Sequence, residues 1–186
     1  MLNKIIGEVR DAIADSLQNA GDKVTSLNSS IKDQALSILS KAGDIGVATD
    51  DIVTGIAQGA VTGASNIISS TNDVVKNTVS ATLEGVSETS IDIISAVRNI
   101  TKGAVSGGAE VGGDIAKNSV AAVEGAMIAG KKIGIDTSDV VTSAVMGVIQ
   151  AADRIGKEAG SNTRQALLSA GSLPGDIVKK AIDKST

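Results

Sequence analysis

Val53-Thr-Gly-Ile-Ala-Gln-Gly-Ala-Val-Thr-Gly63 is an eleven-residue stretch without a charge, and the charges on either side of it fall into register with it. Take Val53 as column zero and number the chain modulo eleven. Of the 17 basic and 21 acidic residues, 33 lie in columns one, two, five, six and nine. Eleven residues in three turns is about 98° per residue, close to the α-helical value. On that wheel the five columns form one arc roughly 130° wide. Glu8, Lys41, Asp50 and Lys184 flank the arc, and Lys23 alone lies well outside it. The phase runs from end to end without a slip. This predicts an all-α fold of elongated amphipathic helices in eleven- and 22-residue repeats, kinked at glycine hinges, with no sheet.

A longer unit is written over the eleven-residue phase. Gly59-Ala-Val-Thr-Gly63, Gly103-Ala-Val-Ser-Gly107, Gly125-Ala-Met127 and Gly147-Val-Ile149 are spaced by multiples of 22, and Ala81-Thr-Leu-Glu-Gly85 keeps the spacing with altered letters. Such arrays are quasi-one-dimensional, each unit meeting its neighbours or a common surface. Three segments follow: residues 1–48 as two short helices, 49–160 as the array, and 161–186 ending in a short helix after Pro174. Helix breaks are expected at Gly21-Asp22, Gly43 to Gly46, Ser69 to Asn72, Gly112-Gly113, Gly134 to Thr137 and Gly160 to Asn162. Both a long kinked helix and a row of identical hairpins satisfy the pattern.

The uncharged arc is a weak apolar face. Its candidate partner residues are Val53, Ile56, Ala60, Ala64, Ile67, Val75, Val86, Ile93, Val97, Ile100, Val111, Ile115, Ile133, Val141, Val148 and Ile155. β-Branched residues lose rotamer freedom in helices, and each of the 21 glycines costs about 1 kcal/mol against Ala in a helix interior. An isolated helix of this composition is marginal, so the face needs something to lie against. Gly55, Gly59 and Gly63 form a GxxxGxxxG strip that lets a second backbone approach closely.

Charges are sorted within the polar arc as well. One edge is basic, through Lys76, Arg98, Lys102, Lys131 and Lys157, and the other is acidic, through Asp92, Asp114, Asp136 and Glu158. A helix with unlike edges is complementary to a copy of itself laid alongside in the same direction, in a sheet, ring or filament. The competing reading is a solvated face with local pairing.

Composition excludes several chemistries. With no Phe, Tyr, Trp, His or Cys, the chain has no thiolate nucleophile, no imidazole base, no disulfide and no ordinary zinc or haem ligands. It also has no aromatic platform for single-stranded nucleic acid, and a net charge of −4 opposes tracking of a phosphate backbone. Carboxylate pairs such as Glu84/Glu88 lie on the exposed stripe without a supporting constellation, and Gly103-Ala-Val-Ser-Gly-Gly108 lacks the Lys-Ser/Thr of a phosphate-binding loop. No catalytic, metal or cofactor residue is therefore expected. The early charges of Met1 to Asp11 do not suit a signal peptide, and Thr54, Gln58, Thr62, Ser65 and Asn66 make Ile52 to Asn72 a poor membrane span.

Segments such as Val53 to Gly63 and Lys102-Gly-Ala-Val-Ser-Gly-Gly108 resemble the eleven-residue-repeat class that includes synucleins, perilipin repeats and late-embryogenesis-abundant proteins. The chain is also similar to prokaryotic proteins built from Gly-Ala-Val/Ile-x-Gly-Ala repeats. The likeness covers about residues 50–160 and rests on period and composition. It implies helices lying in a membrane or lipid-droplet surface, or protection during drying. The acidic flank departs from the lysine-flanked pattern of lipid binders. Three functions are expected in order: a non-enzymatic protein coating a lipid or hydrophobic-granule surface; a self-assembling bundle or filament with a right-handed supercoil, homo-oligomeric if self-packed; and a desiccation protectant. The expected partners are a lipid or hydrophobic surface and copies of the chain, with no nucleic acid or metal. The expected location is the cytoplasm, peripheral on a membrane or granule.

Overall fold

The 22-residue unit is one helix plus its connection. A computed structural model describes residues 1–42 and 46–186. Nine helices run through the described residues, which contain no strand: α1 (Leu2–Gln18), α2 (Lys23–Leu39), α3 (Thr49–Ala64), α4 (Thr71–Ser87), α5 (Ile93–Glu110), α6 (Ile115–Ile133), α7 (Thr137–Ile155), α8 (Lys157–Ser169) and α9 (Gly175–Lys184). From α3 to α7 the helices start at 22-residue intervals. Because 22 is twice eleven, every connection returns the chain to the same phase. That is why the charge columns survive the loops. The chain is a row of hairpins, not one kinked helix.

Helix starts are set by short polar side chains. The carboxylates of Asp22, Asp92, Asp114 and Asp136 and the hydroxyl of Ser70 accept backbone N–H groups of the first turn, with Ser95 N at 2.6 Å from Asp92 and Lys117 N at 3.0 Å from Asp114. These bonds satisfy donors that no intrahelical carbonyl reaches. Helix ends divide into two kinds. After α5 and α6 the chain turns through Gly112 and Gly134, at φ +77° and +78°, while Gly113 and Ile135 donate back to the carbonyls of Gly108 and Gly130. That left-handed turn is the reason for glycine there. After α4 the turn uses no glycine: the Thr89 hydroxyl donates to Val86 O at 2.6 Å and accepts from Ile91 N at 3.3 Å. The break at Glu88 to Asp92 was therefore absent from the expected hinges.

Two other expectations change. Gly160 to Asn162 lies inside α8, and the break comes earlier, at Gly156 between α7 and α8. Of the expected hinge at Gly43 to Gly46, residues 43–45 lie outside the described residues, and Gly46 has φ +67°. The breaks at Gly21-Asp22, Ser69 to Asn72, Gly112-Gly113 and Gly134 to Thr137, and the last helix after Pro174, stand where the sequence puts them.

The helices form two layers, α1, α3, α5, α7 and α9 in one and α2, α4, α6 and α8 in the other. Contacts between a helix and the next but one are the most extensive, led by α3 with α5 and α4 with α6. Glycine sets the spacing within each layer. A Cβ placed on Gly103 would fall under 3.0 Å from Thr54 O, and one on Gly107 would lie 2.7 Å from Gln58 O. The same clash arises between Gly125 and Lys76 O, Gly147 and Arg98 O, Gly59 and Ile6 O, and Gly63 and Arg10 O. Residue numbers rise together across each contact, so stacked helices are parallel. Val, Ile, Ala and a few Leu side chains fill the space between layers in one cluster from Ile5 to Ala181.

Backbone contact explains an odd pair of stability expectations. Gly7 lies inside α1 with nothing within 4 Å of an added Cβ, so Gly7→Ala should raise stability by up to about 1 kcal/mol through helix propensity alone. Gly103→Ala has the same propensity gain but must push two backbones apart, and should lower stability by about 1–3 kcal/mol. Urea denaturation measures both; a gain from Gly103→Ala would refute backbone stacking.

Candidate interaction faces

The apolar arc is turned inward. Val53, Ile56, Ala60, Ala64, Val75, Val86, Val97, Ile100, Val141 and Val148 are buried. Ile67, Ile93, Val111, Ile115 and Ile133 are half-buried. Ile155 alone of the predicted face is open, at 47% exposure. The partner that the face requires is the next helix of the same chain. Gly59 and Gly63 of the predicted strip lie on the α1 backbone, and Gly55 on the side chains of Leu2 and Ile5.

The predicted acidic edge has a different role from pairing with a basic edge. Asp92, Asp114 and Asp136 are the N-caps of α5, α6 and α7, and Glu158 sits in the first turn of α8. Their 22-residue alignment records where helices begin, and the negative charge also suits the positive end of the helix dipole.

Cross-helix ion pairs use other carboxylates. In the even-numbered layer Lys76 of α4 reaches Glu124 of α6 at 2.5 Å, Glu84 of α4 reaches Lys132 of α6 at 2.9 Å, and Lys32 of α2 reaches Glu88 at 2.5 Å. Glu124 also accepts from the Ser172 hydroxyl at 2.6 Å. Burial pushes the Glu124 carboxyl up, but the bonds from Lys76 and Ser172 outweigh it and hold its pKa below the ordinary value. A helix is thus charge-complementary to the parallel helix beside it, and both belong to one chain. In the odd-numbered layer the α5–α7 contact relies on hydroxyls: Ser143 donates to Ile94 O at 2.6 Å, and Thr101 to Ala144 O at 3.3 Å as well as to Val97 O in its own helix.

The basic edge is split. Lys76 is paired, Lys131 and Lys157 are exposed, and Arg98 and Lys102 are half-buried on the outer side of α5. Lys157 and Glu158 line an open depression of about 590 Å³ with Asp114, Ile115 and Ile155. Its polar lining is the carboxylates of Asp114 and Glu158, the ammonium of Lys157 and the amide of Asn162. Among the described residues no group of acidic side chains is arranged to hold a metal ion, and no helix is long and apolar enough to cross a membrane.

Asn118 escaped the sequence reading. It is fully buried in α6 against Gly108 and Gly113, and neither end of its amide has a hydrogen-bond partner. At the matching positions one to three units away stand Ile52, Val74, Ala96 and Val140. A polar residue breaking an apolar series of period 22 was the available signal.

No family model matches the chain, and no curated protein matches it either. Among solved structures it is similar to a crystal structure of a de novo designed helical repeat protein, with a TM-score of 0.51 and 20% identity over 98% of this chain and 94% of that one. A likeness at that identity concerns the fold alone, and the fold is a helical repeat.

Two substitutions separate these roles. Asp136→Ala should cost about 1 kcal/mol by loss of the cap, whereas Asp136→Ser, which removes the charge and keeps a capping oxygen, should cost only a few tenths. Equal losses in thermal melts would restore a charge-edge role. Asn118→Val, matching Val74 and Val140, should stabilise by about 1–3 kcal/mol through removal of unpaired buried polar atoms; a lower melting temperature would mean that the amide is satisfied.

Proposed function

We propose that the chain acts as a non-enzymatic structural module, a self-supporting helical-repeat bundle whose apolar faces meet each other within one molecule. The observation that carries this reading is the burial of ten of the sixteen predicted face residues, from Val53 to Val148, between its own helices. Laying that face on lipid would require separating parallel helices that touch backbone to backbone. The affinity of an interfacial helix scales with the apolar area it buries, and here that area is already buried. The absence of Cys, His and aromatic residues supports a role without chemistry of its own.

The polar outer sides of α1 and α9 favour a single-chain unit over a filament of stacked copies. The side chains that α1 buries are Ile5, Val9, Ile13 and Leu17, a single line at four-residue spacing, while Lys4, Glu8, Arg10, Asp11 and Asp15 keep other sides of the helix polar. At the other end α9 buries Val178 and Ala181 and leaves Asp176, Lys179, Lys180 and Asp183 exposed. Polar sides of this kind disfavour stacking of a second copy of the chain.

Far-UV circular dichroism and light scattering test the proposal together. Dilute protein without lipid should be strongly helical, should unfold cooperatively, and should have the 18.5 kDa mass of one chain. Neutral or anionic vesicles should leave its spectrum unchanged. A coil that becomes helical only on vesicles would overturn the reading in favour of a lipid coat, and concentration-dependent growth of the particle would favour a filament.

A further inference from the structure

Between α7 and α8 the 22-residue unit gives up its own turn. Gly156 stands 22 and 44 residues after Gly134 and Gly112, and Glu158 takes the position of the capping Asp114 and Asp136. In the two earlier units the glycine is left-handed, the next residue donates back to the helix it leaves, and the aspartate caps the helix that follows. At the third place Gly156 is extended, at φ 162° and ψ 163°, and among the described residues no side chain caps α8. Glutamate is the local cause, because the short side chains of Ser, Thr, Asp and Asn are the ones suited to reach first-turn amides. A single residue then separates α7 from α8, against three between α6 and α7 and four between α5 and α6. Among the described residues nothing lies within 4 Å of a Cβ added to Gly156.

With no local lock, the fold of α8 back onto the body rests on tertiary contacts, and these are few. From α8 to the chain end four apolar side chains are buried, Leu167, Leu173, Val178 and Ala181, whereas α1 and α2 each bury four. Thr163 is fully buried in the same contact with its hydroxyl unpartnered. The polar fastenings are Arg164 on Asp153 of α7, at 2.7 and 2.8 Å, and Ser172 on Glu124 of α6, at 2.6 Å.

We propose that Gly156 is a hinge at which α7 and α8 join into one helix over residues 137–169, and that the released α8–α9 segment docks on a second copy of this chain. Each copy lends its segment to the other in a closed two-fold dimer. The eleven-residue phase passes through Gly156 without a slip, so the joined helix keeps Ala152, Ile155, Ala159 and Ala166 on one side. Every contact of the segment is re-formed between copies, Arg164 with Asp153 and Ser172 with Glu124 included, and only the hinge differs. Ile155, 47% exposed in the single chain, lies beside the hinge, where the two joined helices pass each other. Exchange of an identical element is a low-cost route to a dimer, and short connections invite it. The dimer starts from the single-chain bundle proposed above and does not use the polar outer sides of α1 and α9.

Size-exclusion chromatography with light scattering tests the exchange, on protein held concentrated at its unfolding midpoint, cooled and then diluted. Wild type should yield a two-chain particle beside the single chain, retained on dilution because return requires the segment to open again. Gly156→Ala should favour the dimer about thirtyfold, roughly fivefold at each of two hinges, since Ala gains helix propensity only in the joined form. Lys157→Pro should abolish the dimer and leave the single chain as stable as wild type, because proline suits the first residue of α8 and not a helix interior. Asp153→Arg and Arg164→Asp each lose their own pair, and mixing the two variants should give more dimer than either alone. Wild type and Gly156→Ala that stay helical and single at every concentration would overturn the exchange and leave the single-chain reading standing. A dimer that survives Lys157→Pro, or no gain on mixing, would also overturn it. Particles that grow past two chains would overturn both.

Discussion

Every layer of this protein depends on parallel helices that approach until the backbone of one touches a glycine of the other. The contact recurs at Gly59, Gly63, Gly103, Gly107, Gly125 and Gly147, each against a carbonyl of the helix before last. At that spacing there is no room for large side chains. A core of Ala, Val and Ile without a single aromatic residue is the composition that such an approach permits. Close packing recovers through dispersion what small side chains forgo in buried area. It also offsets the helix propensity lost at each glycine, which would leave the same segment marginal on its own.

Polar groups in so tight an interior must be satisfied locally or across the contact. Thr54, Thr62, Thr82 and Thr101 return their hydroxyls to carbonyls three or four residues earlier, the usual resort of β-branched hydroxyl residues within helices. Thr101 and Ser143 also bridge to the neighbouring helix. Asn118, Thr78 and Thr163, all fully buried, are places where this satisfaction fails.

Much of the architecture was legible because the repeat length is commensurate with the helix. Two eleven-residue periods make one helix and its loop, so the charge columns, the capping aspartates and the glycine strips all carry the same 22-residue mark. The glycine turns at Gly112 and Gly134 could be located from residue type, since a left-handed turn favours glycine. The turn after α4 could not, because Thr89 closes it with a hydroxyl. Gly160 misled for the converse reason: inside α8, it makes room for the Asp153–Arg164 pair that joins α7 to α8, and residue type alone does not separate a glycine that bends from one that is crowded. The aspartate column was misassigned in the same way, since a column of charge has the same appearance whether it caps helices or pairs with a neighbour.

The sequence by itself determined that the chain is all-helical, where most helices begin, and which arc of each is apolar, because these follow from periodicity and local hydrogen bonding within a few residues. It also specified that the apolar arc must be covered. What covers it was decided only in three dimensions. A one-dimensional pattern is identical for a helix on lipid, a helix on another molecule and a helix on its own neighbour 44 residues away. The choice falls to the chain's own helices because the connections return each one parallel to the helix before last, in the register where glycine meets carbonyl and lysine meets glutamate.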